Sequence, residues 1–418
     1  MLLSASFDSL ELVRGERIIY ARFLAPRLVL STCRINGGLR GDLKFVANHQ
    51  SCESVGHETP DTLLAVSDPA GYHERVCGRH GLDPGGTVLL GTAANMRLAV
   101  VKEIGFRDLS VMAVVTGGVE GNAGRAGDPA GIFEGPDGFE TVGADERNKV
   151  GGGPAGGQGG PGFGDGASRG QTNPFGGTIN TLLFVNRPLS PGALTRSVMT
   201  AAEAKTAALV EINVNSRFSP SLATGTGTDQ IAVAAPLPEP GGRALTGAGK
   251  HAKLGELMGL AVLEATKEVL IRQTGLTVDR QCSVKILLER FHARGDGTYG
   301  LDAGEFVSLV SRFLDPGAAV LFRDNYKAVF HDPLTVSAVA AMAAVEDKLA
   351  AGILPRSVQP EIMAAQAAVL ARAAGGGEGL PPDCLEKLSP YCRYQDVAGF
   401  LRLACAALAA GFARKWPK

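Results

Sequence analysis

The residues best suited to chemistry are a threonine behind a glycine at the head of an apolar run, Gly177-Thr178-Ile179-Asn180-Thr181-Leu182-Leu183-Phe184-Val185. A hydroxyl that opens a buried strand is fixed by the sheet behind it, and an alcohol so held is a candidate nucleophile for acyl transfer. The same pattern also describes an ordinary strand start. Downstream, Ala223-Thr224-Gly225-Thr226-Gly227-Thr228-Asp229 alternates small hydroxyls with glycines. It lacks the lysine of a GxxxxGKS/T loop, so phosphate cradling is rejected. It keeps room for a ligand to approach the backbone, with Asp229 able to orient a neighbour; a tight turn is the plainer reading. Upstream, Asn36-Gly37-Gly38 forces a turn in which positive φ is cheap. Its amides suit an oxyanion nest as well as a simple hairpin.

Other titratable candidates are scattered. An alanine-rich helix expected over 195–210 carries Glu203 and Lys205, and His251 stands just before a helix expected over 254–273. His251 suits a general base or a ligand, although a lone histidine commonly packs or caps. Cys33 lies beside the glycine turn and ranks last as a nucleophile, since reduced thiols are mostly packed. His49 and His57 flank Glu53 and Glu58 but miss HExxH spacing, so no metal site is expected there. Asp296-Gly297 with Asp302 and Glu305 looks like a calcium loop, but the twelfth position falls on Ala303. The seven cysteines are odd in number and contain no CxxC pair, which suggests reduced thiols in a cytoplasmic protein.

These groups must be positioned by strands expected over 9–20, 28–33, 88–90, 109–116, 182–185 and 231–235. Helices are expected over 60–80, from about 93, and at the two positions already given. The strands on either side of residues 130–176 read as members of one sheet. That glycine-rich stretch has too few apolar residues to offset its ordering entropy and is expected to be a flexible surface insertion. From 283 onward the pattern turns helical (284–291, 334–352, 360–374, 397–414). The expected division is therefore a domain over 1–282 and a helical region over 283–418. A 418-residue chain with 45% hydrophobic residues supports more than one core. A net charge of -1 and only 6% aromatic residues argue against nucleic-acid binding. Asp8, Glu11, Arg14 and Glu16 interrupt any secretory leader, and no uncharged apolar run reaches a membrane-spanning ~18 residues.

Several blocks in colinear order resemble the adenosylcobinamide amidohydrolases, the CbiZ family. They are Ser31-Thr32-Cys33 with Asn36-Gly37-Gly38, Thr92-Ala93-Ala94-Asn95-Met96, Gly177-Thr178-Ile179-Asn180, residues 200–209, residues 223–229, and His251-Ala252-Lys253-Leu254-Gly255-Glu256-Leu257. The resemblance runs from about residue 5 to residue 272 and leaves out the glycine-rich stretch and everything after 283. It implies hydrolysis of the amide between the corrin propionyl group and the aminopropanol arm of adenosylcobinamide. Adenosylcobyric acid is the product, returned to coenzyme B12 synthesis. The corrinoid is then substrate, and no cofactor or metal is expected.

The 177–189 block and Gly225-Thr226-Gly227-Thr228-Asp229 are similar, more weakly, to the self-processing DmpA and ornithine acetyltransferase group. There the residue matching Thr178 cleaves the chain before itself and becomes an amino-terminal nucleophile. By the same likeness the expected fold is α/β, with central strands flanked by helices in an αββα-like sandwich and a helical appendage. The expected catalytic residues are Thr178, Asp229, Glu203 and His251. Asn36, Gly37, Gly38, Asn95, Asn122, Asn180, Thr226 and Thr228 are expected to bind substrate or the oxyanion. A water activated by His251, Glu203 or Asp229 is the competing mechanism. A non-catalytic corrinoid carrier is the competing function, although the DxHxxG pattern of base-off corrinoid binding is absent. Homo-oligomerisation is left open.

Overall fold

The computed structural model describes residues 2–52, 59–136, 138–142, 177–377, 379 and 382–415. It divides into two compact units. One comprises residues up to 126, 177–214 and 223–276; the other takes in 127–142, 215–222 and 277 onward.

The first unit begins with strands β1 (Leu2–Phe7), β2 (Leu10–Arg14), β3 (Ile18–Phe23), β4 (Arg27–Ser31), β5 (Gly38–Arg40) and β6 (Phe45–Gln50). Helices α1 (Pro60–Ser67) and α2 (Pro69–His80) follow, then β7 (Thr87–Thr92), β8 (Val100–Phe106), β9 (Leu109–Thr116) and the short β10 (Ala123–Gly124). A hairpin, β11 (Ile132–Gly135) and β12 (Gly138–Thr141), belongs to the second unit. The first unit resumes with β13 (Asn180–Val185), α3 (Pro191–Glu211), β14 (Gly225–Thr226), β15 (Gln230–Pro236) and α4 (Lys253–Thr274).

Two large sheets result, ordered β1-β2-β3-β6-β7 and β5-β4-β15-β13-β9-β8, and β10 pairs separately with β14. Alternation along each strand sorts the side chains into layers. Leu10, Leu12, Ile19, Ala21, Val46, Val88 and Leu90 of the first sheet form one core with Val29, Met112, Val114, Leu182, Phe184, Ala232 and Ala234 of the second. The opposite face of the second sheet (Val111, Ala113, Val115, Leu183, Val185, Val233, Ala235) packs on α3 and α4. The opposite face of the first sheet (Ile18, Ala47, Leu89) packs on Tyr72, Val76 and Cys77 of α2. The expected αββα sandwich is thus present. β13 lies within the second sheet, parallel to β15 and antiparallel to β9, and is buried along its whole length. Full burial of a side chain such as Phe184 contributes about 1.5–3 kcal/mol, so the head of β13 is firmly placed.

Several elements differ from expectation for local reasons. The helix expected over 60–80 breaks where Asp68 caps α2 and Pro69 occupies its first turn. The helix expected from 93 is one 3-10 turn, Met96–Leu98, capped by Asn95. α3 begins at Pro191, earlier than expected, because Ser190 accepts from the Ala193 N–H and proline suits the first helical position. Within the stretch expected to be flexible, residues 132–141 form the β11–β12 hairpin; its remainder over 143–176 lies outside the described residues, as do Glu53, His57 and Glu58.

In the second unit the helices are α5 (Val278–Gln281), α6 (Val284–Glu289), α7 (Ala303–Ser311), α8 (Pro316–Phe330), α9 (Pro333–Ala350), α10 (Gln359–Ala374), α11 (Pro382–Leu388) and α12 (Val397–Lys415). Phe291, Phe306, Phe322, Phe330, Phe400 and Phe412 fill their core. Asp302 and Glu305 form a capping box at the start of α7, which explains their spacing without calcium. α12 is long and apolar enough to cross a membrane by composition, and 61% of its apolar window is buried inside this unit. It packs closely on α10, where a side chain at Gly411 would lie 2.2 Å from the Ala371 carbonyl oxygen.

Candidate active site

The parallel pairing of β13 with β15 sets Asn180 opposite Gln230 and brings the residues preceding both strands to the same sheet edge. There Thr178 Oγ1 lies 2.6 Å from Thr228 Oγ1. The Thr228 hydroxyl donates to the Gly177 carbonyl oxygen at 3.1 Å. With that proton committed, the 2.6 Å contact is a bond donated by Thr178 and accepted by Thr228. Asn122 Nδ2 donates to Thr228 from 3.4 Å. Thr178 and Asn122 are each 6% exposed, whereas Thr228 is exposed, so solvent reaches the relay at its middle member. The Gly118 N–H bonds the Thr178 carbonyl at 3.3 Å and ties the strand start to the loop after β9.

Asp229 organises the turn. Its carboxylate accepts from the Ile179 N–H (2.7 Å), the Thr226 N–H (2.9 Å), the Thr226 hydroxyl (2.5 Å) and the Lys205 ammonium (2.5 Å). The Lys205 and Asp229 side chains are 17% and 13% exposed, so the pair is partly withdrawn from solvent. A side chain at Gly225 would lie 2.6 Å from Asp229 Oδ2 and 2.7 Å from Lys205 Nζ. Only glycine therefore lets α3 deliver its lysine here. With four donors on it, Asp229 holds Thr228 against Thr178 and has little capacity left to act as a base.

Asn180 is fully buried and bridges the sheets. Its Nδ2 reaches Asn48 Oδ1 and the Gly91 carbonyl, both at 2.9 Å, and its Oδ1 accepts from the Gln230 N–H at 3.2 Å. Asn48 in turn donates to Thr116 at 2.7 Å, and Gln230 accepts from the Gly91 N–H at 3.0 Å. Asn180 is thus committed to internal bonds.

The remaining expected residues are bonded to other partners. Asn36, at φ 55, directs its amide to the carbonyls of Pro84 (2.7 Å) and Thr87 (2.8 Å). A Cβ at Gly37 would collide with the Cys33 carbonyl, and Gly38 at φ 79 begins β5, so the Asn36-Gly37-Gly38 block builds a tight turn. Asn95 caps its 3-10 turn and gives its N–H to Gln273. Glu203 is exposed and paired with Lys250 at 2.7 Å; His251 is exposed beside it. Neither touches the Thr178–Thr228 pair. Cys33 is buried, and burial pushes its thiol up to about 11, which suppresses the thiolate. Among the described residues no group of three or more His, Cys, Asp or Glu is arranged to hold a metal.

The sequence reading named Lys205 without giving it a role and did not single out Asn48, Gln230 or Gly118 as site residues. Lys205 carried a usable signal, a lone cation in the alanine-rich face of α3. Asn48 offered only its polarity within a strand.

A profile of the adenosylcobinamide amidohydrolases matches residues 4–278, about two thirds of the chain. The chain belongs to this family. An uncharacterized protein of Methanocaldococcus jannaschii is 31% identical over 269 residues, which cover 64% of this chain and 91% of that protein. The amidohydrolase match ends close to where the first compact unit ends, at Leu276, and contains every residue of the Thr178 cluster. Hydrolysis of an amide by this family needs a nucleophile, a donor for the developing oxyanion and a proton for the departing amine. The Thr178–Thr228–Gly177 array places two hydroxyls beside a backbone carbonyl.

Proposed function

We propose that this chain hydrolyses the amide joining the corrin propionyl group to the aminopropanol arm of adenosylcobinamide, releasing adenosylcobyric acid for coenzyme B12 synthesis. Family membership supports the amidohydrolase chemistry. The observation that carries the proposal is the hydroxyl relay, Thr178 to Thr228 at 2.6 Å and Thr228 to the Gly177 carbonyl at 3.1 Å. In this reading the chain first acts on itself. Thr178 Oγ attacks the Gly177 carbonyl carbon, its proton passes to Thr228, and the Thr228 proton stabilises the carbonyl oxygen. Collapse breaks the C–N bond and leaves Gly177 as an ester on Thr178, while Thr228 passes the proton it took to the departing Thr178 nitrogen. Water hydrolyses the ester.

The released α-amine, with an ordinary pKa near ~8, then serves as base for its own hydroxyl. Thr178 attacks the substrate carbonyl, the α-ammonium returns the proton to aminopropanol, and a water activated by the same amine clears the acyl group. Thr228 and Asn122 supply the polar side of the pocket, and Asp229 with Lys205 positions them. The seven free cysteines support a cytoplasmic setting.

Chromatography of adenosylcobinamide after incubation with the purified protein is the test. Adenosylcobyric acid and aminopropanol are expected. Tight binding without turnover instead identifies a carrier, and neither binding nor turnover removes the corrinoid assignment.

A further inference from the structure

Gly177 is held where no other residue fits. Its φ is +139°, a conformation that L side chains rarely adopt. A Cβ there would lie 2.5 Å from Asn122 Oδ1 and 2.8 Å from the Gly118 carbonyl oxygen. Asn122 Oδ1 is buried and has no hydrogen-bond partner, so a polar oxygen faces this spot with no donor to turn it aside. Meanwhile the Gly177 carbonyl oxygen accepts from the Thr228 hydroxyl, which also meets the hydroxyl of Thr178. It is an acyl group held beside the hydroxyl pair.

We propose that Gly177 occupies the enzyme's acyl subsite, and that Asn122 and Gly118 there confine substrates to acyl groups whose α-carbon bears no substituent on the side an L-residue's Cβ would take. This rests on Thr178 being the nucleophile released by self-cleavage. Once Gly177 has left, an incoming acyl group must place its carbonyl against Thr178 and Thr228, and its α-carbon then falls at the vacated Cα. A methylene fits. A branch on the forbidden side meets two oxygens inside contact distance, one of them backbone. The propionyl arm of a corrin has such a methylene next to its carbonyl, so the restriction agrees with the proposed substrate and narrows its class to acyl amides unbranched on that side.

The test compares 4-nitrophenyl esters of N-acetylglycine and N-acetyl-L-alanine, with the Thr178→Ala rate subtracted. One misplaced methyl in a shaped pocket discriminates by roughly 10- to 200-fold, and the glycyl ester should lead in kcat/KM by that factor beyond the ratio of spontaneous hydrolysis. Asn122→Ala should shrink the preference by at least about fivefold. If Asn122 were only structural, both rates would fall together and the ratio would stay. Equal handling of the two esters by wild type, or no Thr178-dependent turnover of either, overturns the proposal. Adenosylcobinamide turnover by the same preparations separates the layers. If Thr178→Ala leaves it intact, the underlying nucleophile reading fails; if it is abolished while the esters are not distinguished, only the acyl-subsite inference fails.

Discussion

Thr178 and Thr228 face each other across the sheet edge with their hydroxyl oxygens 2.6 Å apart, and the second hydroxyl also holds the carbonyl of the residue preceding the first. A hydroxyl, a proton acceptor and a polarised carbonyl thus form one short chain. Sequence neighbours supply two of its three members; the third comes from a turn fifty residues on.

The first expectation concerns the backbone. Purified wild-type protein should separate under denaturing conditions into chains of residues 1–177 and 178–418, with Thr178 at the new terminus. Thr178→Ala should remain whole, Thr178→Ser should still cleave, and Gly177→Ala should be blocked by its positive φ and its collision with Asn122. Amino-terminal sequencing decides the matter; intact wild type with full amidohydrolase activity contradicts self-release.

Thr228 is assigned both proton acceptance and oxyanion stabilisation. Loss of one such donor typically slows the step by about 10²–10³-fold. Thr228→Val should therefore accumulate as the intact chain in a cleavage time course, with circular dichroism unchanged. Cleavage at the wild-type rate would remove Thr228 from the mechanism.

The Lys205–Asp229 pair is argued to position this array. Asp229→Ala leaves a largely buried ammonium and three further donors without their acceptor, and should cost on the order of 3 kcal/mol in urea unfolding. Combining Lys205→Met with Asp229→Asn should recover part of that loss, because the stranded charge is gone. Equal stability of Asp229→Ala and wild type would show that the pair holds nothing in place.

One histidine predicts an acid limit. His49 is fully buried with its Nδ1 2.7 Å from the Tyr72 hydroxyl. Burial above all, then the nearby Arg17 charge, pushes its pKa from 6.5 down to about 3. The folded state therefore keeps the ring neutral while the unfolded chain protonates it near 6.5. This contribution to stability is complete above pH 6.5 and is lost as pH falls towards 3, at about 1.4 kcal/mol per pH unit. The His49 ring resonance should stay flat by NMR from pH 8 to pH 4.5; a midpoint near 6.5 would mean that the pocket is wet.

How far the sequence was readable depended on whether a feature is local. Apolar runs such as 182–185 and 231–235 announced their strands, and the alternation in both sheets follows directly from residue type. Pro69 and Ser190 shifted helix boundaries because capping chemistry outweighed the apolar pattern. Thr178, Thr226, Thr228 and Asp229 could be nominated from their small-residue surroundings, and the pairing of β13 with β15 is what joins them. Glu203 and His251 were nominated on residue type alone, and the faces on which they lie are exposed. The Asn36-Gly37-Gly38 turn was nominated for its backbone amides, and what the sequence did not show is that the Asn36 side chain serves the carbonyls of Pro84 and Thr87, about fifty residues away. Lys205 and Asn48 went unselected because their partners are set by tertiary packing, which no local pattern encodes.

The most direct test of the central claim is a rapid-quench mass measurement during turnover of adenosylcobinamide. The account predicts a transient adduct of the adenosylcobyric acyl group on the 178–418 chain, mapped to Thr178 and absent from Thr178→Ala, which should also form no product. Steady formation of adenosylcobyric acid by Thr178→Ala at the wild-type rate would contradict it and return the chemistry to an activated water.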